Sequence, residues 1–445
     1  MPALNGNAGS SAAARRLTDI TGLWCAAAYC ALAFFARQPG EPALSLFFLT
    51  AACAGLPVFF LYFYISRRGE RFPVGRIFLW AAVFRFCGLL GGPFFEDDFY
   101  RYLWDGYRFA TAGTPYGIAP EAFFADPAVP KLFQGILDQI NNPGLATIYA
   151  PVTQFVFLLG YYLSPGSVTA LQAILIVFDL ATIALLFRLT SAGNVMLYAW
   201  CPLVVKEIAF TAHPDGVGVC FLLAAIVLSR KSRWKTASIC LGMAAATKVF
   251  ALLLVPLLLL RAAPRYWMLS AAVFLGLYAP FVLSGGTDMQ SFAVFAREWE
   301  FNSALFGLLS AVLGTVESKL VLGLGFAALW ISYGIHYRKS GERIPRGDLL
   351  YGALLAVSTV INPWYLLWLL PFAAVFPTAW AWTASLAVLA SYITGLNLND
   401  YTMGPYQQPV WVRPLEFTPI LLALGYDVLR HRRLNQRHKH GTSKF

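Results

Sequence analysis

Along this chain, long apolar runs alternate with short polar ones. Apolar stretches near 20–37, 43–65, 74–92, 146–163, 168–188, 192–210, 214–229, 266–284, 317–337, 379–396 and 411–429 approach the roughly 20 residues a helix needs to cross a hydrocarbon layer. Two more, 236–262 and 349–377, read as paired shorter helices broken near Lys248 and at Asn362-Pro363. The pattern predicts an all-α, polytopic transmembrane protein with about a dozen or slightly more spans. It shows no sequence repeat, no heptads and no attached soluble domain. The predicted layout is a cytoplasmic tail over 1–19, a membrane domain over 20–429 with a first large outer loop at 93–145, and a basic cytoplasmic tail over 430–445.

The first long polar interruption, Pro93 to Pro120, sets three consecutive carboxylates, Glu96, Asp97 and Asp98, against the end of an apolar run. Crowded like charges raise one another's pKa, which serves a proton acceptor or a metal ligand better than a scaffold. Downstream, Asp97, Arg101, Asp105 and Arg108 share one side at helical period, and Phe99, Leu103, Tyr107 and Ala110 share another. The expectation is a helix lying in the membrane interface with rings down and charges toward water, ended by the turn Gly113-Thr114-Pro115-Tyr116. A plain amphipathic anchor would account for the two faces but not for the acidic triplet.

Composition agrees with a membrane protein: 58% of residues are hydrophobic and 12% charged, against about a quarter charged in soluble domains. The net charge of +11 does not imply nucleic acid. Its arginines and lysines gather in short loops at 67–71, 230–235 and 338–346 and in the tail, the bias that keeps such loops on the cytoplasmic side. That rule sends the acidic segment and His213-Pro214-Asp215 to the outer side. Three apolar runs lie between these two outer segments, so one must dip without crossing; 192–210, interrupted by Pro202 and ending near Lys206 and Glu207, is the candidate. The seven cysteines lie in or beside apolar runs with no CxxC pair and read as buried hydrophobes.

Within the spans, isolated charges mark sites or pairs. Lys248 stands in Gly242 to Phe250, with a phosphate or an outer carboxylate as its natural counter-ion; Arg85 and Asp179 read as a structural pair. Glu207, His213 and Asp215 lie within nine residues at a membrane exit, a set able to hold a divalent cation, a phosphate or sugar hydroxyls. The plainer reading makes Asp215 the cap of the following helix. Arg297 to Ser303, Asn362 to Tyr365 with Trp368, and Tyr401 to Arg413 add flat rings and polar groups of the kind that bind carbohydrate, although interfacial belts use the same residues. Walker, GxSxG, HExxH and dinucleotide-binding motifs are absent.

The run Asp97-Asp98-Phe99-Tyr100-Arg101-Tyr102-Leu103-Trp104-Asp105-Gly106 with Gly113-Thr114-Pro115-Tyr116 resembles the signature of polytopic C-superfamily glycosyltransferases, close to bacterial polyprenyl-phosphate-mannose-dependent mannosyltransferases. Tyr149-Ala150-Pro151, Trp200 to Glu207, His213 to Asp215, Lys248 and Pro363-Trp364-Tyr365 follow in the family's order, with Ala150 where proline and Cys201 where asparagine is usual. The resemblance implies an enzyme of the cell inner (plasma) membrane with its site on the extracytoplasmic side. It would transfer a hexose, mannose foremost, from a polyprenyl-phosphate carrier to a glycan or glycolipid, with inversion.

By the resemblance, Asp97 or Asp98 is the base. Asp98 fits the Asp-x-x-Arg-Tyr spacing and is preferred. Binding roles fall to Arg101, Tyr102, Trp104, Glu207, His213, Asp215, Lys248, Arg297, Trp364 and Tyr365, and a divalent cation (Mg or Mn) on Asp98 and Asp215 is a candidate cofactor. The rival class is a secondary transporter or flippase of a lipid-linked sugar. It calls for charges at the membrane midplane and for internal repeats.

Overall fold

The computed structural model describes residues 10–40 and 42–441, with side chains to 433; the outermost parts of the two tails, 1–9 and 442–445, lie outside the described residues. In chain order the helices are α1 (Ala12–Ala36), α2 (Leu44–Arg67), α3 (Val74–Gly91), α4 (Asp98–Ala112), α5 (Lys131–Leu137), α6 (Pro151–Leu163) and α7 (Val168–Leu186). They continue as α8 (Ala192–Ala199), α9 (Pro202–Val205), α10 (Asp215–Arg230), α11 (Trp234–Ala245), α12 (Val255–Leu259), α13 (Pro264–Leu283) and α14 (Met289–Glu298). The last are α15 (Leu305–Leu313), α16 (Thr315–Lys339), α17 (Gly347–Val357), α18 (Leu366–Val375), α19 (Ala379–Ala387), α20 (Gly395–Leu398) and α21 (Val412–Gly441). Among the described residues the only extended pairing is an isolated parallel bridge between Phe301 and Val360.

The all-helical architecture follows the predicted pattern. Among the described residues six helices, α1, α2, α3, α7, α13 and α16, are long and apolar enough to span, or seven spans if the bent pair of 202–210 and α10 counts as one. Several other apolar runs are cut into short pieces. The run at 236–262 breaks after Ala245, with Lys248 extended (φ −164°, ψ 146°), and the run at 349–377 breaks before Pro363. Helix α6 is 13 residues long, about 20 Å at the 1.5 Å rise of an α-helix, and α21 carries Arg413, Glu416 and Asp427 among its apolar residues. Helix α1 starts at Ala12, capped by the Ser11 hydroxyl, and α21 runs on to Gly441.

The stretch 192–210 is broken, as Pro202 dictates. Helix α8 stops at Ala199, α9 leads into a π-turn over Lys206–Phe210, and this segment meets α10 at 116°. A break inside a membrane core must satisfy its own backbone. Here the Gln172 amide donates to the carbonyls of Ala209 (2.8 Å) and Phe210 (2.7 Å), and the Thr211 hydroxyl donates to that of Lys206 (3.1 Å).

Arg85 of α3 and Asp179 of α7 meet as expected, both fully buried, with Nε to Oδ2 at 2.7 Å. Tyr198 donates to the other carboxylate oxygen at 2.8 Å, and Arg85 also bonds the Ala199 carbonyl. This pair joins α3, α7 and α8 beneath the broken segment.

Candidate functional site

Helix α3 ends at Gly91, and the chain turns through Gly92 and through Phe95, whose φ is +60°. The turn delivers Asp98 to the first turn of α4, where the partial positive charge of the helix N-terminus favours a carboxylate. At the far end Gly113, at φ +72°, closes the helix, as the sequence predicts. Gly106 permits close approach of α6, because a Cβ there would lie 2.6 Å from the Phe157 carbonyl oxygen.

The orientation expected of α4 is overturned. Arg101 and Asp105 are buried rather than turned to water. The guanidinium of Arg101 donates to the carbonyls of Leu145 (2.9 Å), Asn142 (3.0 Å) and Asn141 (3.3 Å), so it fixes the end of the outer loop. Asp105 accepts from Thr147 (2.5 Å) and from Gln154 of α6 (2.9 Å). Trp104 and Tyr107 join Phe133, Ile136 and Leu137 in a small apolar cluster under the loop, which makes Trp104 a packing residue. The charged stripe faces inward because unpaired loop carbonyls and buried amides need partners more than the charges need water.

Burial pushes the Asp105 carboxyl up to about 6 from 3.8, against the pull of Arg101, Thr147 and Gln154. A carboxyl raised in this way contributes its stability below its unfolded value of 3.8, and that contribution is lost as pH rises through about 6, on the order of 3 kcal/mol in full. Asp105→Asn keeps an acceptor oxygen and carries no charge to bury. Its thermal unfolding in detergent should lose less stability than the native protein as pH rises from 4 to 8, and match or exceed the native protein at pH 8. A native midpoint that climbs between pH 5 and 7 would reverse this assignment.

Beside α4 lies a cleft of about 1090 Å³, part of it open to solvent, whose walls include Asp98, Arg101, Tyr102, Asp215, Lys248, Trp364 and Tyr365. Seven of the residues singled out in the sequence thus meet on one surface. Asp98 is held by the Asn141 amide at 3.2 Å and by the Tyr149 hydroxyl at 3.4 Å. Asp97 accepts from the same Asn141 amide at 2.6 Å and is not part of the cleft wall. Burial holds the Glu96 carboxyl well above the ordinary range; Asp98, Glu207 and Asp97 add to this and Lys206 opposes it.

Lys248 finds the carboxylate expected for it. Its Nζ lies 2.7 Å from Asp215 Oδ1 and 4.6 Å from the centre of the Tyr365 ring. Asp215 also accepts from the Trp368 indole at 2.6 Å and makes no capping bond to α10, so its plainer reading as a helix cap does not hold. Its Oδ2 is buried with no hydrogen-bond partner among the described residues.

Directly behind Asp98 sits a buried polar chain. Ala212, at φ +60°, swings His213 out of the broken segment and onto Trp364, with ring centres 4.0 Å apart and planes at 14°. Nδ1 of His213 is 3.0 Å from Glu207 Oε2, while Nε2 has no hydrogen-bond partner among the described residues and points to Asp98 Oδ2 at 4.0 Å. Glu207 further accepts from Tyr392 at 2.6 Å, and the Tyr392 hydroxyl also bonds Lys206. Left-handed backbone at a non-glycine residue and a π-turn are both costly features that persist where surrounding contacts impose them, and they cluster at functional sites.

One expected residue is not on the cleft wall. Arg297 lies on the exposed end of α14, paired with Glu298 at 2.7 Å, and is not part of the cleft wall. Among the described residues no group of three or more His, Cys, Asp or Glu lies together, and Asp215 is bound by Lys248 and Trp368. Sequence reasoning missed Asn141, Tyr149, Tyr392 and Asp288 as site residues. Their side chains are ordinary for loops and interfaces, and they lie 44, 51, 185 and 10 residues from the groups they bind.

Protein-family models, curated proteins and solved structures give no match to this chain.

Proposed function

We propose that this chain is a membrane glycosyltransferase that moves a hexose, mannose foremost, from a polyprenyl-phosphate carrier to a glycan or glycolipid acceptor. Its site would lie on the extracytoplasmic side of the plasma membrane. The observation that carries this reading is one cleft that presents a held carboxylate, Asp98, and a paired ammonium, Lys248, between aromatic walls. Transfer from a lipid phosphate needs those two groups: one takes a proton from the acceptor hydroxyl, the other neutralises the departing phosphate. The family resemblance of the motif at 97–106 points the same way.

In the reaction the acceptor oxygen bonds to the anomeric carbon while the bond from that carbon to the phosphate oxygen breaks, its electron pair leaving with the phosphate. The acceptor proton passes to Asp98. His213 offers the next station, since its Nδ1 facing Glu207 leaves Nε2 turned to Asp98. The tautomer with hydrogen on Nδ1 is assigned from this contact. Lys248 contributes through its charge, with Asp215 and the Trp368 indole fixing its place. A single displacement inverts the centre, so a β-linked donor gives an α-linked product.

Full-length protein in lipid vesicles, given polyprenyl-phosphate mannose and a glycolipid acceptor extract, is expected to form an α-linked product. Lys248→Gln should lower kcat by roughly a hundredfold, the scale for loss of one charge-stabilising group. Retention of anomeric configuration, or a fully active Lys248→Gln, contradicts the mechanism.

A second reading, a secondary transporter or flippase, draws on the broken segment before α10, because discontinuous helices with buried charges build transporter sites. Movement of lipid-linked sugar across the vesicle with no new glycosidic bond would select it.

A further inference from the structure

Asp288 plays no part in the chemistry above, yet it lines the same cleft. It stands at the N-cap of α14, the position where an aspartate ordinarily accepts from backbone amides of the first turn. Here it makes no side-chain capping bond. Tyr278, near the end of α13, donates instead to Oδ2 at 3.2 Å. The residue is 2% exposed, and Oδ1 has no hydrogen-bond partner among the described residues. A buried carboxylate oxygen left without a donor is costly unless something supplies one.

The surrounding helix face suggests the donor. Ser291, Phe292, Phe295 and Trp299 follow Asp288 at 3, 4, 7 and 11 residues and line the cleft with it, so one side of α14 shows a carboxylate, a hydroxyl and three rings. Rings that cover the apolar face of a pyranose, beside a carboxylate that accepts from its hydroxyls, form a carbohydrate-binding surface.

We infer that Asp288, oriented by Tyr278, is a substrate-positioning residue that accepts a hydrogen bond from a hydroxyl of a sugar bound in the cleft. The inference rests on the glycosyltransferase reading for its kinetic test but not for its binding test. Burial pushes the Asp288 carboxyl up to about 6, so it is ionised and a strong acceptor at neutral pH.

Asp288→Asn keeps an acceptor for Tyr278 while presenting an amide where the second oxygen stood. Expected is a ten- to hundredfold rise in KM for one sugar substrate, the scale of one hydrogen bond to a charged group, with kcat within about threefold. A rise for the lipid-linked donor places the bond on the transferred sugar, and a rise for the acceptor places it on the other. Tyr278→Phe, which removes only the orienting hydroxyl, should raise the same KM by less and covers the case in which Asp288→Asn does not fold. Quenching of tryptophan fluorescence by methyl α-mannoside reads binding directly, and Asp288→Asn should weaken it by a similar factor.

If the native protein transfers sugar and neither variant shifts either KM, the inference falls while the functional reading stands. If the native protein transfers none, but mannoside binding depends on Asp288, the reverse holds. A collapse of kcat in Asp288→Asn at unchanged KM also overturns the positioning role.

Discussion

Asp98→Asn is expected to cut kcat/KM for sugar transfer by about a thousandfold while the protein still folds and still binds the lipid-linked donor. General-base catalysis contributes roughly 10²–10⁴, and the amide has the shape of the carboxylate without its capacity to take a proton. The neighbour serves as control. Asp97 shares the Asn141 amide but is not on the cleft wall, so Asp97→Asn should cost about tenfold through loss of positioning alone. Thermal unfolding of both variants in detergent separates chemistry from folding, since each loses part of the same contact to Asn141. Full-speed transfer by Asp98→Asn would remove the mechanism.

The Arg85 and Asp179 pair predicts the largest change in stability. Removal of one member of a buried, hydrogen-bonded ion pair leaves an uncompensated charge and costs roughly 3–5 kcal/mol. Arg85→Met should therefore unfold at markedly lower temperature or denaturant, with Asp179 and Tyr198 left facing an apolar side chain. Asp179→Leu should do the same in reverse. Because desolvation of both charges is itself expensive, the double variant Arg85→Met with Asp179→Leu should recover most of the loss. The charge swap, Arg85→Asp with Asp179→Arg, should recover less, since the Ala199 carbonyl and the Tyr198 hydroxyl are placed for the native order. Unfolding of either single variant within 1 kcal/mol of the native protein would mean that the pair is solvated.

These two sites differ in how far the sequence exposes them. Arg85 and Asp179 are each the only charge in the interior of an apolar run, and isolated charges in membrane helices tend to meet one another, so their contact is legible without coordinates. Lys248 is legible for the same reason, and its partner proved to be one of the two kinds anticipated. The face of α4 was misread because helical period says which residues share a side, not which side is buried. Arg101 and Asp105 turn inward only because loop 141–147 and Gln154 fold over them.

By itself the sequence determined the helical class, the apolar runs, the breaks at Pro202, Lys248 and Pro363, and the acidic turn before α4. Each of these depends on residues within a few turns of one another, where hydropathy, proline geometry and helix capping act. Only the tertiary structure decided how many runs stay whole enough to span. It also decided that Tyr392 reaches Glu207, that Asn141 holds both aspartates, that Asp288 enters the cleft and that Arg297 stays out. Those outcomes depend on which distant segments pack together, a sum over many weak contacts that no single stretch of chain encodes.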